Sequence, residues 1–157
     1  MTYCMFQYAM DPTLALGVTN QQAGAQLSLQ SVTGNPNFIT WNYNPLNGLI
    51  TLAASGTPGL CVTIPGNSCN GTPVLQLAQP LSLSNPNSKY QQWRTLGVTT
   101  FVTSVGCSTQ GIDVHNRVPA VGTPIWLYPY NGSPAQQWTI GYLTMADVEA
   151  ARELEHA

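Results

Sequence analysis

The first 143 residues alternate between short apolar segments and turn sequences. The apolar segments are four to seven residues long and rich in Val, Ile, Leu, Thr, Phe and Tyr, as in GLITLAA (48–54) and TTFVTSV (99–105). Asn-Gly and Pro-Gly pairs, which favour tight turns, separate them. No stretch of residues 1–140 keeps the apolar period of a helix. The pattern predicts an all-β domain built from many short strands.

The same order of segments occurs three times. Each repeat has an apolar strand, a turn, a second strand opened by a glycine and, later, a tryptophan. The second strands read GAQLSLQ (24–30), GTPVLQL (71–77) and GTPIWLY (122–128), and the tryptophans follow in ITW (39–41), QQW (91–93) and QQW (136–138). The tryptophans are 52 and 45 residues apart and the glycines 47 and 51. We therefore divide a single domain, residues 1–143, into repeats at about 2–46, 47–97 and 98–142.

The last fourteen residues, 144–157, have a different composition. They hold five of the ten charged residues of the chain, and Thr144 with Asp147 resembles a helix-capping box. We predict a short C-terminal helix here. Two interpretations stay open: this helix is a linker to a further C-terminal domain, or it is partly a remnant of an expression tag, because Leu-Glu-His resembles a tag junction.

Charge is scarce in the body of the chain. Only 6% of all residues are charged, against about a quarter in an average protein. Residues 1–143 contain five charged side chains, namely Asp11, Lys89, Arg94, Asp113 and Arg117. Such a body has few cations for phosphate backbones or anionic lipids, so we expect neither a nucleic-acid partner nor a membrane partner. Its abundant amides, hydroxyls and aromatic rings suit an uncharged polar ligand, bound with little salt dependence.

Targeting signals and metal motifs are missing from the sequence. There is no apolar run of about 20 residues and no visible signal peptide, so a cytoplasmic protein and a mature secreted chain both stay open. The cysteines show neither paired C-x-x-C nor His spacing, and we expect no zinc site or other cofactor. Cys61 and Cys69 either close a small disulfide loop or, like the other cysteines, stay reduced.

The combined pattern of [L/I]-D-V, G-T-P-[V/I]-x-L-[W/Y] and Q-x-W resembles the ricin-B-type lectin family, which is also grouped as a carbohydrate-binding module family of bacterial glycosidases. The resemblance covers roughly residues 2–142. It implies a β-trefoil with pseudo-threefold symmetry: twelve strands, four per repeat, forming a six-stranded barrel with a hairpin cap. Trp41, Trp93 and Trp138 then become core residues.

The resemblance also implies where sugars bind. Sites of this family use a carboxylate for sugar hydroxyls, an aromatic ring for the apolar sugar face and supporting amides. The three repeats place Gly17, Thr63 and Asp113 at the carboxylate position. They place Gln30, Leu77 and Tyr128 at the aromatic position, and Ile39, Gln91 and Gln136 at the amide position. Only the third repeat has all three groups.

The second amide of the third repeat departs from the family pattern. Ala135 stands before Gln136 where the family often has Asn, and Asn131 in the neighbouring turn is the predicted substitute. His115 and Trp126 are close enough in sequence to contribute. The predicted sugar-binding set is therefore Asp113, Tyr128, Asn131, Gln136, His115 and Trp126.

We expect a non-enzymatic lectin that binds galactose or N-acetylgalactosamine, the ligands the family most often takes, with one site per chain. Hydrolysis of a glycoside needs two cooperating carboxylates, and the body has only Asp11 and Asp113, at non-equivalent repeat positions. Glycoconjugates are the expected partners, and a homodimer stays open. The alternative is a β-trefoil protease inhibitor that acts through surface loops, for which the segments 53–60 and 78–90 are the candidates.

Overall fold

The computed structural model describes residues 3–56, 58–95 and 99–143. The predicted helix over 144–157 lies outside the described residues. The described part contains thirteen strands: β1 Tyr3–Tyr8, β2 Asp11–Gly17, β3 Ser28–Ser31, β4 Trp41–Asn44, β5 Leu49–Leu52, β6 Cys61–Thr63, β7 Gln76–Ala78, β8 Trp93–Thr95, β9 Thr99–Thr100, β10 Val102–Ser104, β11 Gln110–Val114, β12 Ile125–Pro129 and β13 Trp138–Leu143. Short 3-10 turns are the only helical elements in these ranges.

The strands form three units of one design. In each unit the second and third strands pair as a hairpin, namely β2–β3, β6–β7 and β11–β12. The first and fourth strands form a barrel, through the pairs β1–β4, β4–β5, β8–β10, β9–β13 and β1–β13. The backbone bond from Trp93 N to Gly48 O, 2.8 Å long, links β8 to the start of β5. The third unit has its first strand split into β9 and β10, which is why the count is thirteen instead of the predicted twelve.

Backbone hydrogen bonds around the axis of the hairpin cap show the threefold relation directly. Leu27 N donates to Leu75 O, Leu75 N donates to Ile125 O, and Ile125 N donates to Leu27 O, at 2.8, 2.9 and 3.1 Å. Each of these three side chains is fully buried. The fold is a β-trefoil, as predicted.

The three tryptophans occupy equivalent core positions. Trp41, Trp93 and Trp138 are 0–1% exposed. Each indole N–H donates to a backbone carbonyl in the second strand of its own unit, namely Leu16, Val62 and Ile112, at 2.9, 3.0 and 3.4 Å. A buried indole needs such an acceptor, because an unpaired donor in the core is costly. The predicted structural role of these tryptophans is confirmed.

The disulfide joins Cys69 to Cys107, with 5.5 Å between their Cα atoms. Both alternatives are therefore wrong for Cys69, which neither pairs with Cys61 nor stays reduced. Cys61 lies in β6, where it is buried and its sulfur is 3.6 Å from the Ala78 carbonyl. Cys4 and Cys61 are free and buried, and burial raises their pKa values to about 12 and about 11.

Within the described ranges, no helix is both long and apolar enough to span a membrane.

Candidate functional site

The tryptophan hydrogen bonds identify equivalent positions in the second strand of each repeat. The acceptors Leu16, Val62 and Ile112 are equivalent, so the residues that follow them, Gly17, Thr63 and Asp113, are equivalent as well. The hairpins agree, because these three pair with Ser28, Gln76 and Trp126 of the next strand. The carboxylate position is therefore where the sequence places it in all three repeats.

Strand pairing brings the aromatic residues of the third repeat to Asp113. In the β11–β12 hairpin, Asp113 pairs with Trp126, and Gly111 pairs with Tyr128. Side chains two residues apart share one face of a strand, so Trp126 and Tyr128 project together beside Asp113. Their rings stack with centroids 4.9 Å apart and planes inclined by 26°. The ring of His115 lies on Trp126 at 4.2 Å. The three rings form a continuous aromatic row.

Asp113 is a buried carboxylate, only 4% exposed. Its Oδ1 accepts a 2.6 Å hydrogen bond from the Trp126 indole N–H. Burial raises the pKa of Asp113, while the hydrogen bonds from Trp126 and Gln136 and the charges of Arg117 and His115 act in the opposite direction. Burial replaces the water around the carboxylate by a few fixed hydrogen-bond donors. These donors do not fully offset the lost hydration of its negative charge. A ligand that brings hydroxyl donors would complete its hydrogen bonding.

Gln136 lies behind the site and not in its wall. The side chain is 2% exposed. Its Nε2 donates to Pro129 O at 2.9 Å and its Oε1 accepts from Asn131 N at 3.0 Å, which fastens the turn after β12. In the second repeat Gln91 makes the same two bonds, to Gln79 O and from Leu81 N, both at 2.8 Å. The Gln of Q-x-W thus holds a turn in both repeats, whatever stands at the carboxylate position.

A cavity of about 270 Å³ opens at this face of the third repeat. Its lining includes four of the predicted site residues, namely Asp113, Trp126, Tyr128 and Asn131, and also Ala135. Asn131 is exposed, and its Oδ1 accepts a 2.9 Å bond from Ser133 N. His115 and Gln136 are not part of the lining; they contact it from outside, through Trp126 and through the Asn131 turn.

Sequence reasoning missed four lining residues, Val114, Asn116, Arg117 and Ser133. Arg117 was detectable, because it is one of five charged residues in the body and stands four positions after Asp113. Asn116 and Arg117 lie in a 3-10 turn with φ values of 53° and 58°. Ser133 carries no comparable signal in the sequence.

The equivalent positions of the other two repeats are differently filled. A Cβ at Gly17 would lie 2.7 Å from Phe38 O and 2.8 Å from the Gln30 side chain, so there is no room for a carboxylate. In the second repeat Thr63 is buried, and its hydroxyl bonds to Cys61 O at 3.0 Å and to Gln91 at 3.3 Å.

The predicted equivalence of Leu77 in the second repeat with Tyr128 in the third is wrong by one residue. Ala78, not Leu77, is the counterpart of Tyr128, since Cys61 pairs with Ala78 as Gly111 pairs with Tyr128. The shared G-T-P motif suggested Leu77, but the strand register is set by the buried Leu75 and Leu77, which face the core. A one-residue slip moves a side chain to the other face of its strand.

Among the described residues, no three His, Cys, Asp or Glu side chains cluster closely enough to hold a metal ion.

No protein-family model matches the chain, and no curated protein matches it in sequence. Solved structures match it clearly. A mosquitocidal holotoxin aligns with a TM-score of 0.74 and 18% identity over 90% of this chain, which spans only 17% of the toxin. The designed threefold-symmetric protein ThreeFoil aligns with a TM-score of 0.73 and 22% identity, over 90% of this chain and 99% of that one.

The C-half of the earthworm R-type lectin, solved in complex with GalNAc, aligns with a TM-score of 0.69 and 14% identity. The alignment covers 91% of this chain and all of the lectin half. Identities this low establish the fold and nothing finer. Together with the geometry above, they show that this chain has the β-trefoil fold.

Proposed function

We propose that this chain is a carbohydrate-binding lectin domain with one main site, in the third repeat, for galactose or N-acetylgalactosamine. The observation that carries the proposal is the Asp113 carboxylate. It is buried, accepts a hydrogen bond from one indole N–H, and lines a cavity whose wall includes the stacked Trp126–Tyr128 pair. An acceptor beside an apolar aromatic face matches a pyranose, which has hydroxyl donors on its edge and C–H groups on its face.

Each side chain has a distinct part in this proposal. Asp113 accepts bonds from two sugar hydroxyls, and Tyr128 covers the apolar face of the ring. Trp126 donates a hydrogen bond to Asp113 Oδ1 and extends the aromatic wall. The ring of His115 packs against Trp126. Asn131 supplies an amide at the rim. Gln136 positions the Asn131 turn and Asp113 without touching the sugar.

Support from related folds is indirect. The earthworm lectin half, of similar size and fold, was solved with GalNAc. The cavity lining contains a single carboxylate, whereas glycoside hydrolysis uses two. We therefore propose binding without catalysis.

A glycan array followed by calorimetry tests the proposal. The parent protein should bind terminal galactose or N-acetylgalactosamine with one site per chain. Asp113→Ala removes charge-assisted hydrogen bonds worth about 1.5–3 kcal/mol each, so affinity should fall more than tenfold while the protein stays folded. Tyr128→Ala should weaken binding through lost stacking.

Thr63→Ala is the matched control, because Thr63 occupies the equivalent place in the second repeat and should leave affinity unchanged. Binding by Asp113→Ala equal to that of the parent would contradict the third-repeat site. A stoichiometry near three would show that the other repeats bind as well. A parent that binds no glycan but inhibits a panel of proteases would favour the inhibitor alternative.

A further inference from the structure

Arg117 is a cation placed in the wall of the candidate sugar cavity. It is one of only four basic residues in the chain and lines the same cavity as Asp113 and Tyr128. Its side chain is exposed. In the described part of the chain the guanidinium has no hydrogen bond and no ion pair. Its charge nevertheless reaches the site, because it opposes the rise in the pKa of Asp113.

The backbone at Arg117 is unusual for this side chain. Asn116 and Arg117 have φ values of 53° and 58°, in the left-handed region. The equivalent turn of the second repeat has the same conformation, with Gly66 at 80° and Asn67 at 48°. Gly and Asn adopt this conformation readily, whereas Arg does so at a cost. The third repeat thus keeps an arginine where the other turn has an easily accommodated asparagine, which points to a use for the guanidinium.

We propose that Arg117 forms an anion subsite beside the sugar position of Asp113, so that the preferred ligand is a glycan carrying a sulfate or carboxylate group. This inference rests on the proposed lectin function and names the ligand class more closely. Both anions present a pair of oxygens that the guanidinium fork can bind through two parallel hydrogen bonds. Asp113 attracts hydroxyl donors and repels an anion, while Arg117 attracts the anion. The pair therefore orients an extended ligand in one direction along the cavity.

The subsite adds a local cation to a body whose overall composition predicts an uncharged ligand. One ion pair is enough to produce a preference without making binding strongly salt-dependent. Neutral glycans should bind with an affinity that salt does not change. The affinity of charged glycans should fall towards that of neutral glycans as the salt concentration rises, because salt screens the charge of Arg117.

Calorimetry with matched ligands tests the subsite. The probes are lactose, 3′-sulfated and 6′-sulfated lactose, and 3′- and 6′-sialyllactose, which separate sulfate from carboxylate. At least one charged probe should bind the parent about tenfold more tightly than lactose at low salt. Arg117→Asn, which installs the residue of the equivalent second-repeat turn, should remove that preference, measured as the ratio of charged-probe affinity to lactose affinity in the same variant. Its thermal unfolding temperature should be no lower than that of the parent.

Arg94→Asn controls for the loss of one positive charge, because Arg94 lines a different cavity, with Leu46 and Leu83; it should keep the preference. Lactose binding with no gain for any charged probe would overturn the subsite and leave the lectin proposal standing. A preference that survives in Arg117→Asn would also overturn it. Failure of all five probes, with no hit on the glycan array, would instead remove the lectin proposal on which the inference rests.

Discussion

Asp113 is a single residue whose burial carries a cost in stability, and the proposed sugar site gives that cost a reason. Its burial raises the carboxyl pKa, so the ionised form is disfavoured in the free folded protein. A folded-state pKa above the unfolded value gives stability that is fully present below the unfolded pKa and is lost as the pH rises through the folded one. At neutral pH the protein therefore holds an ionised group that destabilises it. A sugar that donates two hydroxyl bonds would offset this penalty.

This linkage predicts the pH dependence of binding. Only ionised Asp113 accepts two hydroxyl bonds, so the dissociation constant should rise on acidification, starting at a pH above the ordinary Asp value of 3.8. Calorimetry from pH 7.5 to 4, with thermal unfolding recorded at each pH, measures the effect. His115→Phe keeps an aromatic ring against Trp126 but removes a positive charge that lowers the pKa of Asp113, so the loss of affinity should begin at a higher pH in this variant. An affinity that stays constant down to pH 4 would contradict the role of Asp113.

At the scale of elements, the turn after the third strand of a repeat decides where the rim residues lie. Gln136 and Gln91 fasten this turn with the same pair of backbone hydrogen bonds in the third and second repeats. Only the third turn carries a residue of the candidate site, Asn131. The two glutamines are thus structurally alike and functionally different.

Replacing each glutamine by Ala separates the two effects. Both variants leave partly buried backbone groups without their side-chain partners, so each should lose about 1–3 kcal/mol of unfolding free energy in chemical denaturation. Gln136→Ala should also weaken glycan binding several-fold, because Asn131 and Asp113 lose their support. Gln91→Ala should bind as the parent does. Equal binding losses in both variants would mean that the effect is general destabilisation.

On the scale of the whole molecule, one core joins the three units. The three tryptophans connect the barrel to the hairpin strands through their indole hydrogen bonds. Trp93→Ala should cost about 3–5 kcal/mol through the cavity it creates, measured as the unfolding free energy in denaturant. Trp126→Phe, at a half-buried position outside this core, is the comparison and should cost less. A loss below about 1 kcal/mol for Trp93→Ala would contradict its core role.

The disulfide links the second unit to the third, across 38 residues of sequence. In the chain-entropy estimate, closing a loop of this length stabilises the fold by about 4 kcal/mol. The double variant Cys69→Ser with Cys107→Ser should therefore unfold at a clearly lower temperature. A reducing agent should produce a similar shift in the parent and none in the double variant. Cys4 and Cys61 should resist thiol reagents until unfolding, because both are buried.

Much of this protein can be predicted from local sequence. The strand pattern and the threefold repeat follow from residue spacing. The core role of the tryptophans and the grouping of Asp113 with Trp126 and Tyr128 are expected from the resemblance of the motifs to a known family. Spacing suffices for the strands and the repeat because a strand alternates its side chains between two faces, and because repeated segments with the same period fold into equivalent units.

Tertiary structure decided the rest. Ala78 replaces Leu77 as the counterpart of Tyr128, since pairing with β6 and packing in the core set the register, not the G-T-P turn. Cys69 pairs with Cys107, because loops of neighbouring units meet only after the barrel closes. Arg117 enters the cavity through a left-handed turn. The strand register and the disulfide depend on contacts between segments distant in the chain, and local patterns carry no information about such contacts.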